Sequence, residues 1–472
     1  MDIKQKKVFG VKAKNIYILL VLLSPIFYNY FFNLIPRETR NLSLGNPDFI
    51  NIGISFIFFI FLYFVGSQIK ISLNLSNISI AIVLYFFSFF IFDSYFLFLT
   101  RLFHIKYVFL IVNILWIFIF LVNKKINNYK IILFFSLFFI FREYGFEYFY
   151  NNFDLSPKTY TVPDETEVWL PVTNNIFTNN YFYGLKTITH NGYGLLIAYI
   201  NSISTILFLK SPIFSFMPFI KNVFYFLTLL FIYEIKGSTL SKIIFSISLT
   251  IVALNSHWFR YIFFNSMMLE SGVSYFFGVI MYSIMLATNK NEKNIYSMLL
   301  GFLFFSKQFI AGLAIFYLIY LFIKKDLDII SLSLGLTSIL IAILNALFLK
   351  IDMTWRNYLS FFDSSWTDER FYNLSNFQNI ISQFLIDKPV SYLLFVLILL
   401  FFLNLKVNYF HYKDFCDIIL FNTVLVFILY IFVWTDVEYG SSYRYLMNIF
   451  HLLIPIYIFA LDNFLEYKTN KE

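Results

Sequence analysis

The chain has 472 residues, of which 60% are hydrophobic, 23% aromatic and only 13% charged, with a mean hydropathy of +0.73. That composition rules against a soluble protein of two or three domains and points to the bilayer as solvent. The net charge of +8 is spread as Lys and Arg between apolar runs, the pattern of positive-inside topology and not of a nucleic-acid surface, and the single cysteine, Cys416, excludes an internal disulfide and any multi-cysteine metal site.

The first fourteen residues hold five Lys against one Asp and are expected in the cytoplasm, followed by a retained first helix too long for a cleaved signal. Apolar runs then predict helices over 16–36, 49–67, 78–98, 104–123 and 131–149, each long enough for a hydrocarbon core of roughly 30 Å. The loop "NKKINNYK" marks a cytoplasmic turn, so the fifth helix is expected to leave outward. Residues 143–186 then form a first large outer loop, whose Glu143–Lys186 part carries six acidic and two basic residues.

Between 210 and 323, polar interruptions such as "EIKGSTLSK" and "NKNEKN" come too often for full-length spans, and short or re-entrant helices buried against protein are expected there. "FIKKDLD", with Lys324 and Lys325, reads as cytoplasmic. A span to about residue 349 leads to a second large outer loop, 351–388, with five acidic and three basic residues. A helix over 389–405, the inner loop "KVNYFHYKD", a further helix and the outer loop "TDVEYGSSYRY" follow, and the tail ends inside. With no internal repeat and no Gly- or Pro-rich linker, the sequence implies one integral domain, 1–472: an all-α polytopic membrane protein of roughly 13–15 transmembrane or re-entrant helices with large outer loops.

The chemistry is concentrated in "PDETEVWLP", where Asp164, Glu165 and Glu167 crowd together ahead of Trp169, an aromatic suited to the membrane interface. A carboxylate held there is partly desolvated and suited to act as a general base. "THNGYG" follows, placing His190 and two glycines at the outer start of the next helix, a place where backbone amides receive anions. The first outer loop, "RETRNLSLGNPDF", offers Glu38 and Asp48 as rival acids. His104, His257, His411 and His451 have no metal-ligand spacing.

The order of "DETEVWLP", "HNGYGLLIAY", "FNSMMLESGVSYFFG", "LLGFLFFSKQFIAGLAIF" and "SSYRYLMNIFHLLIPIY" resembles that of polytopic membrane glycosyltransferases of the C fold, which use polyprenyl-phosphate sugars. The resemblance covers about Asp164 to Pro455 and departs from the family in having five helices ahead of the acidic loop. It implies transfer of a sugar from a polyprenyl-phosphate donor to a glycan, lipid or protein acceptor at the outer face, in cell-envelope glycan assembly at a bacterial inner membrane. Asp164 would be the base, with Glu165 or Glu167 orienting the acceptor or binding a divalent cation. Arg444, Lys307 and His190 would hold the donor phosphate, and Glu270 would be a second acidic position opening a helix. Trp355 and Trp366 in the second large loop would stack on acceptor sugars. The rival readings are a surface-polysaccharide polymerase or ligase, which leans on outer-loop arginines scarce here, and a transporter or flippase of lipid-linked glycan, which predicts a repeat.

Overall fold

The computed structural model describes residues 49–96, 104–123, 128–140, 218–255, 270–306, 308–348 and 450–469, with isolated positions 144, 173, 176, 196, 199, 200 and 202. Regular structure among the described residues is helical throughout. It comprises α1 (Phe49–Leu73), α2 (Ile78–Tyr95), α3 (Ile105–Val122), α4 (Asn128–Ile140), α5 (Pro218–Glu234), α6 (Thr239–Asn255), α7 (Glu270–Leu286), α8 (Lys290–Phe302), α9 (Gln308–Ile323), α10 (Ile329–Phe348) and α11 (Phe450–Thr469). Three stretches, Ser55–Leu73, Ile78–Tyr95 and Ile105–Val122, are long and apolar enough to cross a membrane, and shorter apolar helices accompany them. The chain is an all-α polytopic integral membrane protein.

The helices begin where a polar residue precedes an apolar run. Asn77 Oδ1 accepts the Ile80 N–H (2.8 Å) ahead of α2, and His104 Nδ1 accepts the Lys106 N–H (3.1 Å) ahead of α3. Asn289 does the same for Glu292 in α8, and Asp328 for Ser331 in α10.

The chain falls into two compact units, one drawn from 43–230 and 261–361, the other from 1–42, 231–260 and 362–472. In the larger, α2 is the hub, packed by α1, α3, α7, α8 and α10. Ring pairs fix the directions: Phe61 of α1 meets Tyr85 of α2, and Phe89 of α2 stacks on Phe109 of α3 (5.3 Å). Phe64 and Phe61 of α1 stack on Phe134 and Phe138 of α4, and Phe87 of α2 meets Phe276 of α7 edge-on. Each of these pairs is antiparallel. The face of α3 away from α2 leaves Leu110, Ile114 and Phe118 exposed, an apolar stripe suited to lipid.

Lipid tails are as apolar as phenylalanine, so close fit and interhelical hydrogen bonds, not apolar burial, hold such helices together. Tyr85 donates to Asn113 Oδ1 (3.0 Å) and Trp116 to Ser88 Oγ (3.1 Å), joining α2 to α3. The tightest approach joins α8 to α10. A Cβ on Gly301 would lie 2.2 Å from the Gly335 carbonyl oxygen, and one on Gly335 would lie 2.6 Å from Leu318 of α9. At Gly301 the neighbour is backbone and only hydrogen fits; at Gly335 the Leu318 side chain would have to move aside.

Polar bonds clamp the near end of the same joint. Lys290 pairs with Asp328 (2.8 Å), Lys293 Nζ donates to the Asp326 carbonyl (2.6 Å), and Ser331 Oγ donates to Asn294 Oδ1 (2.7 Å). The Lys290 ammonium, with the Ser331 N–H and hydroxyl, holds the Asp328 carboxyl well below the usual carboxylate range. A carboxylate shifted downward contributes stability above its ordinary pKa and loses it as pH falls through the folded-state value. The difference in melting temperature between wild type and Asp328→Asn in detergent should therefore be present at pH 6 and close in strong acid, while a difference independent of pH would show that the pair contributes nothing electrostatic.

In the smaller unit α6 packs on α11. Asp462 accepts both the Ser238 N–H (2.8 Å) and its hydroxyl (2.5 Å) at the start of α6, where a negative charge complements the helix dipole. Gly237 makes room for it, since a Cβ there would stand 2.6 Å from Asp462 Oδ2. Partial burial pulls the Lys242 ammonium below its usual pKa, with Asp462 and Glu234 acting against that shift. Pro455 lies inside α11. Membrane helices tolerate such a proline where neighbouring groups satisfy the freed carbonyl.

Candidate functional site

The antiparallel order gives the larger unit two chemically different ends. At one end lie the 74–77 turn between α1 and α2, the α7–α8 turn and the α9–α10 turn, carrying Lys70, Lys290, Lys293, Lys324 and Lys325. A partly buried polar network joins these turns. Ser76 Oγ bonds to the Tyr296 hydroxyl (2.9 Å), Tyr296 donates to Glu292 Oε1 (3.2 Å), and Asn77 Nδ2 donates to Ser283 Oγ (3.1 Å). "NKNEKN", which interrupted the apolar pattern, thus shares an end with "FIKKDLD".

The opposite end of α2 holds Asp93, completely enclosed in a helix that is otherwise nearly all apolar. The Tyr199 hydroxyl, equally enclosed, donates to Asp93 Oδ2, and the Tyr199 ring packs edge-on against Phe90 (5.3 Å). One helical turn beyond Tyr199, Ser202 Oγ donates to the Thr173 carbonyl (3.3 Å). The break between α8 and α9 reaches the same place. A 3-10 turn at Leu303–Phe305 ends in Ser306, whose hydroxyl donates to the Leu303 carbonyl (2.6 Å), and Phe305 lies 5.3 Å from Phe90. Leu303, Phe305 and Ser306 are buried, so the tip of this helical hairpin ends inside protein. The pair is short, as expected in 210–323, and its tip is buried against protein, while Ile319 and Ile323 of α9 are exposed.

Of the site residues expected from sequence, Glu270 is placed as the first residue of α7, whose far end lies at the Lys-rich turns. Asp164, Glu165, Glu167, His190, Lys307, Trp355, Trp366 and Arg444 lie outside the described residues, as do most of the two large loops, 143–186 and 351–388. The divalent-cation expectation rests on Glu165 and Glu167 and falls outside with them; among the described residues no group of three or more His, Cys, Asp or Glu is placed to hold a metal. His451 is buried at the start of α11 with its ring edge-on to Phe450.

Asp93 is the residue that sequence reasoning passed over. Its signal was present in "FFIFDSYF": an acid inside an apolar span is costly and marks a functional position by default. Attention to the outer acids hid it.

The fold and these two ends define an all-helical integral membrane protein with a polar, basic end and an enclosed carboxylate near the other. Comparison with family models, curated proteins and solved structures finds no match to this chain.

Proposed function

We propose that the protein is a membrane glycosyltransferase that moves a sugar from a polyprenyl-phosphate donor to an acceptor hydroxyl at the face opposite its basic turns, in envelope glycan assembly at a bacterial inner membrane. One observation carries the reading. Thr173, nine residues after Asp164 in the sequence, is tied through Ser202 and Tyr199 to the Asp93 end of α2, away from Lys290 and Lys324. By the positive-inside rule the lysine end faces the cytoplasm, which assigns the Asp93 end and the acidic stretch to the outer side.

The chemistry required there is limited. The acceptor O–H gives its proton to a carboxylate, for which Asp164 is assigned, while its oxygen attacks the anomeric carbon. The bond from that carbon to phosphate oxygen breaks, and its electron pair leaves with the lipid phosphate. Arg444, Lys307 and His190 are assigned to that departing charge, Arg444 through its bidentate fork. Glu165 and Glu167 orient the acceptor, Trp355 and Trp366 stack on it, and Glu270 supplies the second acidic position.

The test is purified protein in liposomes supplied with a radiolabelled polyprenyl-phosphate hexose and a panel of glycan acceptors. Release of free polyprenyl phosphate that depends on both protein and acceptor supports the reading. Donor turnover absent across the panel, with lipid-linked sugar instead crossing the bilayer, would reassign the protein to transport.

A further inference from the structure

The Asp93–Tyr199 pair has a close counterpart in the same helix. Two turns nearer the basic end, Tyr85 is enclosed, and its hydroxyl donates to Asn113 Oδ1 of α3. The two bonds are alike in donor and burial but differ in what they attach. Tyr85 joins two regular, long spans that also share stacked rings, Phe89 on Phe109, and the Trp116–Ser88 bond. Tyr199 instead joins α2 to the helical positions 196, 199, 200 and 202, of which Ser202 leads on to Thr173.

Both attachments of that second segment lie in the protein interior. Leu196, Tyr199, Ile200, Ser202, Thr173 and Ile176 are all buried. Two polar bonds separated by one helical turn fix both the height and the rotation of a helix, because a shift along the axis or a turn about it breaks at least one of them. Asp93 itself is fully enclosed and does not reach a substrate, so its effect on outer-face chemistry passes through Tyr199.

We infer that Asp93 and Tyr199 are positioning residues: they form a latch that, with Ser202 and Thr173, sets where the segment following the acidic stretch sits on the outer end of α2. This rests on the proposed glycosyl transfer for its consequence, though not for its existence. Displacing a reacting group by about 1 Å costs on the order of 100-fold in rate, so a released latch lowers turnover without weakening donor capture.

The test compares Tyr199→Phe with Tyr85→Phe, each losing one hydroxyl from an enclosed site, using steady-state kinetics and hydrogen exchange of the peptide covering 164–176. Tyr199→Phe should lower kcat by about 100-fold with KM within about twofold of wild type, and should speed exchange in that peptide. Tyr85→Phe should leave both readouts near wild type. Equal losses in the two variants would reduce the pair to ordinary packing and overturn the latch, as would unchanged turnover and exchange in Tyr199→Phe. Should wild type transfer no sugar, the proposed function falls, and the exchange comparison alone then decides the latch: faster exchange in Tyr199→Phe only supports it, and equal exchange removes it.

Discussion

Asp164→Asn is expected to lower glycosyl transfer by about 100- to 10,000-fold, the usual cost of removing a positioned general base, while the protein stays folded and monodisperse in detergent. Asparagine keeps the size and shape of aspartate but exchanges one acceptor oxygen for an NH2 donor and gives up both the negative charge and the ability to take a proton, so the fold is conserved while the base is lost. Donor capture should survive, since the phosphate is assigned to cations elsewhere. Single-turnover assays with enzyme in excess over donor would read the loss directly. Full activity in Asp164→Asn, with Glu38→Gln or Asp48→Asn inactive instead, would move the base to the loop after the first helix.

Gly301→Leu is expected to have the largest effect on the fold. Its Cβ would stand 2.2 Å from the Gly335 carbonyl oxygen and 2.9 Å from the Ser338 Cβ, and neither neighbour is the far end of a flexible chain. Overpacking of this kind costs typically about 1–3 kcal/mol, and relief here requires α8 and α10 to part. Parting them strains the Lys290–Asp328 pair and the Ser331–Asn294 bond together. The expected result is a lower melting temperature and aggregation on solubilisation. Gly312→Leu is the matched control: nothing lies within 4 Å of its added Cβ, and leucine favours a helix over glycine, so that variant should be neutral or slightly stabilised. Equal melting temperatures for the two variants would show that the α8–α10 contact does not govern stability.

The spans were legible because lipid exposure demands long apolar runs. Expected helices at 49–67, 78–98 and 104–123 are found as Phe49–Leu73, Ile78–Tyr95 and Ile105–Val122. The region 210–323 was legible in kind, since its polar interruptions mark short helices such as Lys290–Phe302 and Gln308–Ile323. What the sequence hid depends on distant partners. Nothing near Gly301 announces Gly335, and nothing near Gly237 announces Asp462, whose carboxylate comes from the opposite end of the numbering to cap α6. Asp93 was visible as an acid in an apolar span, yet its meaning depends on Tyr199, more than a hundred residues later. Pro455 is a residue that locally disfavours a helix, yet α11 continues through it to Thr469.

Sugar transfer at the outer face requires one sidedness, with the Lys290 and Lys324 turns in the cytoplasm and the acidic stretch outside. Single cysteines at Glu165 and Lys325 in a Cys416→Ser background, probed in intact cells with a membrane-impermeant maleimide, test it directly. Glu165→Cys should be labelled in intact cells, and Lys325→Cys only after permeabilisation. Labelling of Lys325→Cys in intact cells, with Glu165→Cys protected until the membrane is opened, would contradict that sidedness.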